Sequence, residues 1–252
     1  MDSANSGTIA HHLVELNVIL RKTALAFCIF CLFWSFSANQ IISMWLEAGP
    51  LPIGPNNENL SVYGPFDWIQ MRWGLVILIS MVTLLPVFSI QIYSFAKPGL
   101  YPRERNWLTA LLFITTSLVP LIIVAIWAIG LPALFESSSS YGTPEGTLTR
   151  YDAASVFSIG LGITWVLVIW SVTTIALSLT RIFGMVTSSG KIRFRNRFLA
   201  ISAGTLVLTL PVEYDGLKLL IAVITCFLAD AISRTSPVKF APLQADAQIE
   251  SV

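Results

Sequence analysis

The sequence predicts an all-α polytopic membrane protein: six transmembrane helices, the last two short, with both termini in the cytoplasm. Three observations carry this. The chain of 252 residues is 55% hydrophobic and 12% charged, with a mean hydropathy of +0.74, whereas a soluble domain carries about 25% charged residues. Its apolar residues gather into six blocks, approximately 23–46, 73–95, 107–135, 155–180, 198–213 and 216–233. Its basic residues fall almost entirely on one set of connectors. Residues 1–235 read as a single six-helix domain and 236–252, "SPVKFAPLQADAQIESV", as a mobile cytoplasmic tail.

The opening stretch, "MDSANSGTIAHHLVELNVILRK", has no short basic region leading into a cleavable apolar segment, so it reads as retained. Leu13, Leu16 and Leu20 fall near helical spacing, which predicts a short amphipathic segment along the interface leading into the first span. Cys28 and Cys31 form a C-x-x-C inside the first block; without a second pair or a nearby histidine they read as small packing residues, not metal or redox ligands. The first four blocks suffice for full spans of about 20 residues. In the second, Pro86 predicts a kink and Gln91 an amide satisfied by a neighbouring helix. In the fourth, Gly160, Gly162 and Thr164 read as close-packing residues. The last two blocks are short and are separated by "PVEYDG" (Pro211 to Gly216), where a proline, two acids and a glycine signal a turn. A hairpin of short helices implies local thinning of the bilayer or shielding by neighbours. No internal repeat is evident, which weighs against an inverted-repeat transporter.

Orientation follows from Lys and Arg. With six spans, one side holds Arg21, Lys22, Lys97, Arg103, Arg105, Arg181, Lys191, Arg193, Arg195, Arg197, Arg234 and Lys239, twelve of the fifteen basic residues. The other side holds Arg72, Arg150 and Lys218 against eight acids: Glu47, Glu58, Asp67, Glu136, Glu145, Asp152, Glu213 and Asp215. The positive-inside rule places the basic side, with both termini, in the cytoplasm. Trp45, Tyr63, Trp68, Trp73, Tyr141 and Tyr151 suit an interfacial aromatic belt on the far side.

Catalytic motifs are absent: there is no Walker A loop, H-E-x-x-H, G-x-S-x-G or dinucleotide fingerprint, and His11 and His12 are the two histidines. No enzyme activity, metal or cofactor is expected. The predicted membrane interior holds almost no ionisable group, which argues against a conventional pump or carrier. On the basic side the reading singles out two acids, Glu15 in "HHLVELNVILRK" and Glu104 in "SFAKPGLYPRERNWL". Singly, each suits a solvated or helix-terminal charge. Together, on a strongly basic face, they would make local sites for a cation, and a guanidinium fork matches a carboxylate best. In the connector, Pro98-Gly99 predicts a sharp exit from the second span, helped by the conformational freedom of Gly99. Pro102 then stiffens the approach to the third, presenting Glu104 at a helix N-terminus.

These residues resemble the TatC family, the multispanning subunit of the twin-arginine protein translocase. The likeness is closest over "PVFSIQIYSFAKPGLYPRER", where Pro86, Gln91, Phe95, Pro98, Gly99, Leu100, Glu104 and Arg105 fit the family's pattern without a gap. The stretch "HLVEL" (His12 to Leu16) is similar to the family's H-L-x-E-L. The resemblance implies a non-enzymatic receptor and core for export of folded proteins across a prokaryotic plasma membrane, driven by the proton-motive force. It implies recognition of twin-arginine signal peptides by Glu15 and Glu104, with His12, Leu16, Phe95, Pro98, Leu100 and Arg105 nearby. It further implies recruitment of TatA-type and TatB-type single-span partners, several copies in the working complex and no nucleic-acid partner. Three departures mark a divergent member. Asn17 and Ile19 stand where many members have arginines, Val166 occupies the neighbourhood of a fourth-span glutamate, and Leu210 to Glu213 replaces T-P-P-D, keeping Pro211 and Glu213. The alternative is a small-solute or ion transporter, which requires a polar path across the bilayer; an integral-membrane enzyme ranks last.

Overall fold

A computed structural model describes residues 2–47, 60–61, 64, 66–140, 151–183 and 192–237, with side chains described at 17–46, 64, 66–137, 152–183 and 194–237. The chain forms α1 (Asp2–Glu47), α2 (Asp67–Ala96), α3 (Pro102–Ala125), α4 (Leu131–Ser140), α5 (Ala153–Ile182), α6 (Ile192–Thr209) and α7 (Lys218–Ser233). A π-helical turn, Ile126–Gly130, joins α3 to α4 into one rod. Six rods result, as the apolar blocks predict. Four stretches, Asn17–Leu46, Asp67–Gly99, Pro102–Ser137 and Ala153–Ile182, are long and apolar enough to cross a membrane. The 18 residues of α6 and 16 of α7 extend about 27 and 24 Å at 1.5 Å per residue, short of a hydrocarbon core about 30 Å thick.

Much of the helix surface is apolar and exposed, including Phe36, Phe113, Val124, Leu208, Leu219 and Phe227. In water such a surface would drive association; in hydrocarbon it is the ordinary outer face of a bundle whose backbone groups are satisfied within helices. The packing centre is α5, which touches α2, α3, α6 and α7. Small residues let it sit there. A Cβ on Gly160 would stand 2.7 Å from Leu131 Cδ1 and 2.9 Å from Trp127 Cζ2, and one on Gly162 would overlap the Tyr214 ring, 2.7 Å from Cζ. Both glycines, with the buried Thr164, are close-packing residues as expected. Trp127 Nε1 donates to Thr164 Oγ1 at 3.0 Å.

Several polar groups inside the bundle are satisfied across helices. Ser89 and Thr116 hydroxyls lie 2.8 Å apart between α2 and α3. Thr23 Oγ1 lies 2.8 Å from Gln91 Oε1, so the amide is matched by α1 as the sequence predicts. Arg72 Nη2 donates to the Ser35 carbonyl at 3.1 Å, bringing a cation into the helical layer against backbone. Pro86 lies within α2, depriving the Val82 carbonyl of its helical donor.

Two expectations are revised. The N-terminal segment does not form a separate interfacial helix; the backbone is helical without interruption from Asp2 through Glu47. Trp45 does not belong to a lipid-facing belt. It packs edge-on to Trp127 and Phe157, at ring distances of 5.5 and 4.8 Å. Its Nε1 donates to the Trp127 carbonyl at 2.9 Å. That carbonyl sits in the π-helical turn, where the widened helix shifts register and lends a backbone group to a neighbour. Trp68 and Trp73 are exposed, as a belt requires, whereas Tyr63, Tyr141 and the Tyr151 side chain lie outside the described residues. One extended pairing accompanies the helices among the described residues: β1 (Leu60–Ser61) and β2 (Tyr151–Asp152) run parallel and tie the loop after α1 to the start of α5.

Candidate functional site

The ends of α2, α5 and α7 and the start of α3 converge on one apolar cluster. Ala96, Leu108, Leu111, Leu112, Ile175 and Ile182 form it, with Leu100, Phe183 and Ile232 packed alongside. These ends carry Lys97, Arg103, Arg105, Arg181 and Arg234, five of the fifteen basic residues, so these cations gather around one cluster in space. Over this cluster runs the connector between α2 and α3. It leaves α2 through a 3₁₀ turn, Lys97–Gly99, passes Leu100 and an extended Tyr101, and enters α3 at Pro102. Proline suits that position because the first helical N–H has no intrahelical partner and φ is preset. Glu104 falls three residues beyond Tyr101, and its Oε2 accepts the Tyr101 backbone N–H at 3.1 Å. That contact pins the entry into α3 and satisfies a donor the helix cannot.

The geometry agrees with the expectation that Glu104 stands at a helix N-terminus between two arginines, but it is not openly presented. Glu104 is 4% exposed, while Arg103 and Arg105 are exposed. A carboxylate has about four lone-pair directions, so capping leaves acceptor capacity for a guanidinium, which must displace whatever covers it. Phe95 and Leu100 are half-buried; Pro98 and Gly99 are exposed. Gly99 does not use a left-handed conformation, since the described glycine with positive φ is Gly216, at 89°. A Cβ at Gly99 would meet Phe183 Cε1 at an ordinary 3.6 Å. The turn is made by the 3₁₀ geometry and by Pro98, not by glycine's freedom. His12, Glu15 and Leu16 lie on the α1 backbone, and their side chains are outside the described residues.

A carboxylate that the sequence reading passed over stands at this end. Asp230, 7% exposed, lies in the last turn of α7 and binds Arg181 of α5 and Arg234, each at 2.7 Å, with Arg195 of α6 at 4.0 Å. Arg181 Nε also donates to Ser233 Oγ at 2.8 Å. It was hidden because it closes the apolar run "LLIAVITCFLADAIS". Its signal was a basic residue four positions on, at the i,i+4 spacing of a helical ion pair.

At the opposite end, Pro211 opens the turn between α6 and α7, a 3₁₀ segment Val212–Tyr214 that ends at Gly216, and Glu213 is exposed. The Tyr214 hydroxyl donates to the Ile159 carbonyl at 2.5 Å, fastening the hairpin to α5. Lys218 pairs with Asp215 at 2.8 Å. A polar cavity of about 550 Å³ opens beside this turn, with Asp67, Asp152, Glu213 and Lys218 in its wall and Trp165 among its lining. Val166 packs against Leu206, Leu210 and Ala222.

Six apolar rods, a central glycine-bearing helix, a short final hairpin and a basic end with capped and ion-paired carboxylates define a polytopic all-α membrane protein. The sequence model described as Sec-independent protein translocase protein (TatC) matches residues 11–229. The chain belongs to the TatC family. It is 39% identical over 88 residues to Sec-independent protein translocase protein TatCo of Haloferax volcanii, covering 34% of this chain and 19% of that protein. It is 28% identical over 120 residues to TatCy of Bacillus subtilis, covering 48% and 43%, and 25% identical over 191 residues to TatC of Listeria innocua, covering 75% of each. The match thus spans about a fifth of the Haloferax protein and less than half of the Bacillus one. A crystal structure described as "Twin Arginine Translocase Receptor- TatC in DDM" superposes with a TM-score of 0.60 over 90% of this chain and 100% of that one, at 20% identity. At that identity the likeness speaks for the fold.

Proposed function

We propose that this protein is the receptor and core subunit of a twin-arginine translocase in a prokaryotic plasma membrane, with both termini in the cytoplasm and no catalytic activity of its own. It binds the paired arginines of a cargo's signal peptide, recruits TatA-type and TatB-type single-span partners, and works in several copies. Export of folded cargo then draws on the proton-motive force. One observation carries the reading beyond the family: Glu104, an acid on a predominantly basic face, is held by its own capping contact at the start of α3 beside exposed Arg103 and Arg105. A basic face repels an Arg-Arg peptide unless carboxylates are placed on it, and opposite charges at such an interface set specificity as well as strength. Glu15 supplies the second acid, on α1.

The test is binding of a synthetic peptide with consecutive arginines to the full chain in nanodiscs, against a Lys-Lys counterpart. Guanidinium recognition predicts clear preference for Arg-Arg, since lysine cannot make the forked contact. Equal binding of both peptides, or of neither, overturns the assignment. The transporter alternative predicts solute uptake by vesicles holding this chain alone.

A further inference from the structure

The basic end contains a carboxylate that already holds two arginines. Asp230 Oδ1 takes Arg181 Nη2 at 2.7 Å, and Oδ2 takes Arg234 through Nη2 at 2.7 Å and Nε at 3.0 Å. The two guanidiniums differ in kind. Arg181 lies in the last turn of α5, has a second anchor on Ser233 Oγ at 2.8 Å, and its side chain is 15% exposed. Ser233 is itself buried and bonded to the Asp230 carbonyl. Arg234 stands just past α7, and its side chain is 61% exposed although its tip grips a carboxylate that is 9% exposed. Arg181 therefore belongs to the fold, while Arg234 holds Oδ2 in direct contact, with Arg195 Nη1 standing off at 4.0 Å from the same oxygen. When Arg234 swings away, Asp230 keeps Arg181 and is not left as an unpaired buried charge, the outcome that makes breaking most buried pairs costly.

The position matters as much as the chemistry. Ile232, between Asp230 and Arg234, packs on the cluster formed by Ala96, Leu108 and Ile182, the same cluster that carries the Glu104 connector. We propose that Asp230 is a further guanidinium-binding site for the cargo's arginine pair, with Arg234 its built-in occupant, displaced when a peptide arginine takes Oδ2. The proposal rests on the reading of this protein as a receptor for paired arginines, and gives that receptor a self-occupied state in which arginine-poor peptides find the site closed. Because the Arg234 side chain is 61% exposed and Asp230 keeps Arg181 when Arg234 leaves, the i,i+4 contact is favoured only a few-fold over its open state. A competitor with that occupancy lowers apparent affinity by the same factor, so its removal raises affinity about fivefold.

The experiment uses the full chain in nanodiscs of neutral lipid, with fluorescent Arg-Arg and Lys-Lys peptides as probes. Arg234→Ala and Arg234→Gln are expected to tighten Arg-Arg binding about fivefold and Lys-Lys binding by clearly less, since an ammonium gives one contact where a guanidinium gives two to the same oxygen. Arg197→Ala, which removes a charge from an exposed position on α6, controls for the general field and is expected to move neither peptide. Adding Asp230→Asn to Arg234→Ala is expected to abolish the gain. If both Arg234 variants keep wild-type affinity, or if both peptides gain equally, Arg234 is a structural or purely electrostatic partner and the proposal is overturned. Should Asp230→Asn fail to fold, the Arg234 variants still decide. Loss of binding in Glu104→Gln with no gain in Arg234→Ala would retain the receptor reading and remove Asp230 from it; a wild-type chain that binds neither peptide removes both.

Discussion

Glu104 has two jobs in this reading, and a single substitution separates them. Its Oε2 accepts the Tyr101 N–H at 3.1 Å, and the residue is 4% exposed. Glu104→Gln keeps an acceptor oxygen at the same length and volume, so the entry into α3 stays capped. Glu104→Ala loses the cap as well, at a cost of about 1 kcal/mol, the net value of one intramolecular hydrogen bond. The guanidinium contact depends on charge instead, and a hydrogen bond to a charged group contributes about 1.5–3 kcal/mol. At 1.4 kcal/mol per decade, Glu104→Gln should weaken Arg-Arg peptide binding roughly tenfold to 150-fold, with the unfolding midpoint unchanged. Fluorescence anisotropy gives the first quantity and a thermal melt in nanodiscs the second. If Glu104→Gln binds within twofold of wild type while Glu104→Ala is weaker and less stable, the carboxylate is a helix cap and nothing more.

Other consequences are structural. Gly162→Ala places a methyl against the Tyr214 ring and should destabilise by about 1–3 kcal/mol through overpacking; in a Tyr214→Ala background the same change should be close to neutral, as a double-mutant cycle would show. Gly216→Ala should lower stability by about 1 kcal/mol because φ there is 89°, whereas Gly99→Ala should leave the melting temperature unchanged or slightly raised. Asp230→Asn leaves Arg181 facing a neutral amide, and by the usual cost of breaking a buried pair should destabilise by about 3–5 kcal/mol, read as a lower melting temperature in detergent. Trp127→Phe removes the donor to Thr164 and should cost about 1 kcal/mol in the same assay.

The connector shows how far local sequence reaches. Pro102 and Glu104 were legible because they act within four residues of each other: a proline suits the first helical position and an acid three residues past the cap meets an unpaired N–H. Gly99 was misread because a Pro-Gly pair serves several turn geometries, and the 3₁₀ form needs no positive φ. The burial of Glu104, 4% exposed, was not legible at all, since burial is set by tertiary packing and not by sequence neighbours. Trp45 was assigned outward for a similar reason. Near the end of an apolar span, belt and core tryptophans have the same neighbours in sequence, and the π-helical turn supplying the Trp127 carbonyl leaves no local mark.

By itself the sequence determined the partition between bilayer and water, the six helical rods, the short final hairpin and the gathering of positive charge at one end. All of these follow from the length of apolar runs and the placement of Lys and Arg, quantities summed along the chain. Tertiary structure decided which polar groups face one another: Gln91 with Thr23, Tyr214 against Gly162, Asp230 between Arg181 and Arg234. The physical reason is that a helix bound for a membrane is apolar on nearly every face. Its periodicity no longer says which side meets protein and which meets lipid, so the partners of its few polar residues are fixed only when the helices pack.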